Sequence, residues 1–154
     1  MSESETFELP TYKAFVKGAP DVYASLAGLT KAVDATGLDK ALTELVKVRV
    51  SQINGCVFCL KFHLDLARKA GVSQDKLDLL SVWPEVSLFS EREQAALAYA
   101  EGLTVLEGEL APEEDWEALR ELFSHEEAVH LTVAIATINA WNRIGIGFNF
   151  APPV

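Results

Sequence analysis

Cys56 and Cys59, the only cysteines in the chain, stand in the run Asn54-Gly55-Cys56-Val57-Phe58-Cys59, and His63 follows one helical turn later. A Cys-x-x-Cys pair at the start of a helix brings two thiols within bonding reach, where unpaired backbone N–H groups favour the thiolate. The chemistry this permits is thiol–disulfide exchange. An ordinary thiol with a pKa near ~8.5 is only a few per cent ionised at neutral pH, and lowering it to ~7 takes roughly 2 kcal/mol. A helix end and one imidazole together can supply that.

Helical spacing is what must position these groups. If residues 56–69 form a helix, Cys59 and His63 lie four apart and Cys56 and His63 seven apart, so all three share one face. A hairpin turning at Asn54-Gly55 sets Glu44 and His63 at similar depth, with a mismatch of about 3 Å at 1.5 Å per residue. Glu44 can then orient or protonate His63. In the resulting relay His63 takes a proton from a thiol, and the thiolate attacks an electrophile. Against a peroxide the attacking sulfur becomes a sulfenic acid, the second thiol condenses with it, and an external dithiol reduces the disulfide. Nearness to the imidazole favours Cys59 as attacker, with Cys56 as resolver and exchange point. The helix dipole favours Cys56, the thiol expected to be more exposed.

Around this motif the chain reads as all-α, with strand signals nearly absent. Apolar residues recur at spacings of three and four over residues 20–36 and 39–53. Pro20 suits a first helical turn, and Asn54-Gly55 breaks the second segment. Further helices are expected over 56–69, 74–81, 90–102, from 112 onward, and from 124 to 143 or beyond. Ser90 with Glu93 and Ser124 with Glu127 read as capping boxes. That makes about six to seven helices in one domain spanning 1–154, with a core of about 20–146 and tails at 1–10 and 151–154. The last segment is apolar nearly all round, through Val129, Leu131, Val133, Ile135, Ile138, Trp141 and Ile144, so it is central or an oligomer interface. A faint echo links Glu44-Leu-Val-Lys…Ile53-Asn54 with Glu127-Ala-Val-His…Ile138-Asn139.

Composition narrows the setting. The chain has 154 residues, 49% of them hydrophobic, enough for one domain with a sizeable core. Its net charge of −10 argues against nucleic acid or an anionic membrane as the main partner. The polar residues Thr132, Thr137, Asn139, Asn142 and Arg143 interrupt the most apolar stretch, which fits a buried helix better than a membrane span. The acidic start, Met1-Ser-Glu-Ser-Glu-Thr, lacks the features of a secretory signal, so a cytoplasmic protein is expected. In a reducing compartment a close cysteine pair is more often redox-active or metal-binding than a structural staple.

The run Glu44-Leu-Val-Lys-Val-Arg-Val-Ser51-Gln52-Ile53-Asn54-Gly55-Cys56-Val-Phe-Cys59-Leu-Lys-Phe-His63, with Phe89-Ser-Glu-Arg-Glu93 and Ile138-Asn-Ala-Trp-Asn-Arg143, resembles the AhpD-like alkylhydroperoxidases of the carboxymuconolactone decarboxylase superfamily. The resemblance spans about residues 40–146. It implies an AhpD-like helical bundle, a homo-oligomer (commonly a trimer or hexamer), and a cofactor-free peroxidase acting on hydroperoxides. It also implies re-reduction by an external dithiol, thioredoxin-like or lipoyl, in antioxidant defence. Glu44, Cys56, Cys59 and His63 all match the family pattern by position. Phe58 departs from it, because the best-known peroxidase members carry a second histidine there.

Two other functions fit the same residues. One is a carboxymuconolactone-decarboxylase-like enzyme. The other is a zinc-stabilised, non-catalytic helical module, for which His125 or His130 would be the further ligand. Otherwise those two histidines read as structural, Trp141-Asn142-Arg143 as packing with capping of the last helix, and the acidic runs at 91–93 and 113–115 as complements to helix N-termini.

Overall fold

The computed structural model describes residues 8–108 and 113–153. Among them there are eight α-helices and no strand: α1 Tyr12–Gly18, α2 Pro20–Ala35, α3 Lys40–Asn54, α4 Val57–Lys69, α5 Gln74–Leu79, α6 Glu91–Thr104, α7 Glu113–Leu122 and α8 His125–Gly147. A 3₁₀ segment, Leu80–Glu85, follows α5. The capping chemistry matches the sequence signals. Pro20 opens α2, and Ser90 and Ser124 each form a complete capping box with Glu93 and Glu127. Asp39 caps α3 by accepting the Ala41 N–H. Pro112, expected to open the helix observed as α7, lies outside the described residues.

The helix count exceeds the expected six to seven because of α1. This seven-residue helix has no room for a readable apolar stripe, and Thr11 caps it by accepting the Ala14 N–H at 3.1 Å. Its one buried residue, Phe15, packs against Trp141, Phe148 and Phe150. The core therefore extends past residue 146, to Phe150, and back to Phe15.

Two helices organise the rest. α3 packs on α4, α6 and α8, and buries Leu42, Leu45, Val46, Val48 and Val50 together with the polar Thr43, Glu44, Lys47 and Ser51. α8 is the central helix, touching α2, α3, α4, α6 and α7. Its apolar surface is covered on most sides, with Val129 and Ile146 left exposed. Within the described residues, no helix is long and apolar enough to cross a membrane.

Candidate active site

The site is built on the turn between α3 and α4. Gly55 closes α3 in the left-handed conformation, at φ 71°, which an L side chain adopts only at a cost. Cys56 follows as the N-cap of α4, so it sits just outside the helix rather than in its first turn, and its sulfur accepts the Cys59 N–H at 3.3 Å. Cys56 and Cys59 are joined in a disulfide with their Cα atoms 5.3 Å apart. The expectation of a more exposed Cys56 is overturned. It is 2% exposed against 3% for Cys59, because α8 lies directly over it.

Gly145 permits that approach. A Cβ added there would stand 2.8 Å from the Cys56 sulfur and 3.4 Å from the Cys59 sulfur. Only a glycine lets the α8 backbone rest on the disulfide. The Trp141 carbonyl of the same helix lies 3.6 Å from the Cys59 sulfur. The last helix thus touches the sulfurs twice, although spacing along the chain offered no sign of it.

The hairpin brings Glu44 and His63 together as expected. His63 Nδ1 is 2.7 Å from Glu44 Oε2. The glutamate side chain is fully buried, and its other oxygen, Oε1, takes Lys40 at 3.0 Å and Lys47 at 3.2 Å. Burial alone would raise the Glu44 pKa, but the His63 hydrogen bond and the Lys47 charge overcome it and hold the carboxyl at about 2. For His63, burial pushes the pKa down, helped by the two lysines and opposed by Glu44. The pair at neutral pH is therefore carboxylate and neutral imidazole. A carboxylate only accepts hydrogen bonds, so Nδ1 carries the proton and Nε2 keeps its lone pair as a base. The lysine pair is the part of the site that the sequence reading leaves out. Its signal was present in the spacing of Lys40, Glu44 and Lys47, four and three residues apart on one helix face.

Cys59 and His63 line one cavity of about 250 Å³, whose walls come largely from Tyr12, Tyr23, Phe58, Phe62 and Trp141. Cys56 is not among its lining residues. Phe58, where the resemblance expects a histidine, stacks with Phe62 and packs against Tyr12 and Phe150. It contributes an apolar wall and no titratable group.

The Trp141-Asn142-Arg143 cluster does not cap α8, contrary to expectation, because the helix continues to Gly147. Asn142 is instead fully buried. It donates to Ser51 Oγ at 3.1 Å and accepts from Asn54 Nδ2 at 2.9 Å, while Asn54 also donates to Asn139. These amides lock α8 to the end of α3, and so set the turn that carries the cysteines. His130 is half-buried near the start of α8, with its Nδ1 2.8 Å from the Glu126 carbonyl. Among the described residues no three His, Cys, Asp or Glu side chains converge in a way that could hold a metal ion.

The chain has recognisable relatives in sequence and in fold. The sequence profile of the carboxymuconolactone decarboxylase family matches residues 20–102. The uncharacterized protein YdfG of Bacillus subtilis (strain 168) is 35% identical over 83% of this chain and 87% of its own length. The alkyl hydroperoxide reductase AhpD of Nocardia farcinica is 44% identical, over 41% of this chain and 35% of its own length. A crystal structure from Agrobacterium tumefaciens, of a protein of unknown function described as a candidate AhpD of antioxidant defence, superposes with a TM-score of 0.87. It is 38% identical and covers 94% of this chain and 99% of that one. The debrominase Bmp8 shares the fold at a TM-score of 0.78 and 22% identity, over 90% of this chain and 75% of its own. A profile match over more than half of the chain, and a relative matched over most of its length, establish that this protein belongs to the carboxymuconolactone decarboxylase family, among its AhpD-like members.

Proposed function

We propose that this protein is a thiol peroxidase that reduces organic hydroperoxides through the Cys56–Cys59 pair, with Cys59 as attacker. The observation that carries this reading is the joint opening of Cys59 and a Glu44-held neutral His63 onto one cavity, with Cys56 bonded behind. In the reduced protein, His63 Nε2 takes the Cys59 proton, directly or through water. The thiolate attacks the terminal peroxide oxygen, the O–O bond breaks, and the alkoxide leaves with the proton from His63 as an alcohol. Cys59 is then a sulfenic acid. Cys56 attacks its sulfur, water leaves, and the disulfide forms.

An external dithiol completes the cycle. Because Cys59 faces the cavity and Cys56 does not, the reductant attacks the Cys59 sulfur and Cys56 leaves as the thiolate. The Cys59 N–H that already points at the Cys56 sulfur stabilises that leaving group. This reassigns the exchange point from Cys56 to Cys59. A thioredoxin-like or lipoyl dithiol has the required chemistry, and a reducing cytoplasm would keep it supplied. Assembly as a trimer or hexamer belongs to the same proposal.

Purified protein is expected to consume cumene hydroperoxide in the presence of dihydrolipoate, and Cys59→Ser to fall to the uncatalysed background. One equivalent of peroxide should remove two titratable thiols, and the dithiol should restore them. Full activity in the serine variant would overturn the thiol mechanism. Turnover of a lactone acid without any dithiol would assign the decarboxylase reaction instead.

A further inference from the structure

The chain carries a net charge of −10, yet the cavity at Cys59 is lined by two lysines, Lys31 and Lys47, and by no carboxylate. Beside Cys59, His63 and Trp141, its other polar lining residues are Tyr12, Tyr23, Thr30 and Thr137, the last with its hydroxyl donating to the Val133 carbonyl at 2.7 Å. Tyr12 stays a neutral phenol, since burial and the neighbouring Tyr23 push its pKa up to about 12. Lys47 is buried and engaged with Glu44, whose carboxylate is already shared with Lys40 and His63. Lys31 is exposed, and among the described residues it makes no ion pair within 4.0 Å. A mostly apolar cavity with a few fixed polar groups is the general form of a small-molecule site, and the polar groups set its specificity. Here those groups include two cations and the hydroxyls of Tyr12, Tyr23 and Thr30, with no carboxylate among them.

We infer that the cavity takes an amphipathic organic anion, so that the peroxide reduced is the hydroperoxide of a carboxylic acid. This rests on the peroxidase reading above. The apolar body lies against Tyr12, Phe58, Phe62 and Trp141, and the carboxylate pairs with Lys31 at the rim. At about 250 Å³, the space is many times the roughly 10–15 Å³ that one water-sized molecule needs, so hydrogen peroxide alone would leave it largely empty. The cation at the rim also offsets the repulsion an organic acid meets from the acidic remainder of the surface.

The test separates the ligand class from the chemistry. Calorimetric titration of the oxidised protein with octanoate and with octan-1-ol is expected to show at least tenfold tighter binding of the acid, weakening with added salt and lost in Lys31→Glu. In turnover, the hydroperoxide of linoleic acid should exceed its methyl ester about tenfold in kcat/KM, and Lys31→Met should bring that ratio close to one. Equal binding of acid and alcohol, or an acid-to-ester ratio unmoved by Lys31→Met, overturns this inference and leaves the peroxidase reading standing if cumene hydroperoxide is still consumed. Tight octanoate binding without consumption of any hydroperoxide overturns the peroxidase reading and with it the assignment of the substrate as a peroxide.

Discussion

Glu44 and Glu127 occupy similar short runs, Glu-Leu-Val-Lys and Glu-Ala-Val-His, each leading on to an Ile-Asn pair. The two asparagines even meet, Asn54 donating to Asn139 at 2.9 Å. The two glutamates nevertheless do different work. Glu44 lies mid-helix, fully buried, and binds two lysines and His63. Glu127 lies in the first turn of α8, a third exposed, accepting the Ser124 N–H and an Arg92 contact. Both carboxyls are held below their ordinary pKa, Glu127 mainly by the Ser124 backbone N–H. Only Glu44 turns that stabilisation onto an imidazole that lines the same cavity as Cys59. The difference shows that burial and convergence, more than residue type, separate a candidate relay from a helix cap.

The contrast is broken most directly at Glu44. Glu44→Gln strands Lys47 in the interior and frees His63 from its orienting partner. A loss of about 3–5 kcal/mol in urea unfolding is expected, with a fall in kcat of about a hundredfold or more. The same carboxylate should govern acid stability. Its folded pKa of about 2 lies below the ordinary 4.5, so its contribution is present above pH 4.5 and fades as pH falls toward 2. A wild-type stability profile flat across that window would contradict the burial and pairing described for Glu44.

At Gly145 the test is one of sign. A helix-interior Gly→Ala change ordinarily gains up to about 1 kcal/mol, whereas contact of the new methyl with the Cys56 sulfur predicts a net loss of about 1–3 kcal/mol in the oxidised protein. Comparing the oxidised and reduced proteins by thermal unfolding shows whether the disulfide is what the methyl strikes. A gain in stability would show that α8 does not need this close approach.

Lys47→Met sharpens the electrostatics. Removing a like charge beside His63 raises the imidazole pKa, so the acid limb of the kcat/KM profile should move to higher pH. An unmoved limb would mean that Lys47 does not act on His63. Glu127→Gln should matter least, at about 0.5 kcal/mol from the helix end and Arg92, with the pH profile unchanged. A kinetic effect there would erase the distinction between the two glutamates.

Much of the fold was legible because its signals are local. Apolar spacing, Pro20, the Asn54-Gly55 break and the serine capping boxes each act within one helical turn, so the main helices appear close to their predicted places. The Glu44–His63 contact was legible too, since one tight hairpin carries both residues. Helix α1 was not, because seven residues hold too short a pattern and Phe15 is buried by residues far along the chain. The exposure of Cys56 was misjudged for the same kind of reason. Its cover is α8, some ninety residues away, and nothing near Cys56 announces Gly145.

By itself, the amino-acid sequence determined that this chain is helical, that one hairpin joins a Cys-x-x-Cys pair to a histidine and a glutamate, and that thiol chemistry is the outcome to expect. Helical periodicity and turn chemistry are short-range, and they need no knowledge of what packs where. Tertiary structure alone decided which sulfur faces the cavity, how many cations share the buried carboxylate, and that the cavity walls are aromatic and cationic. Those properties depend on α1, α2 and α8 closing over the hairpin, and their residues converge only when the core is buried.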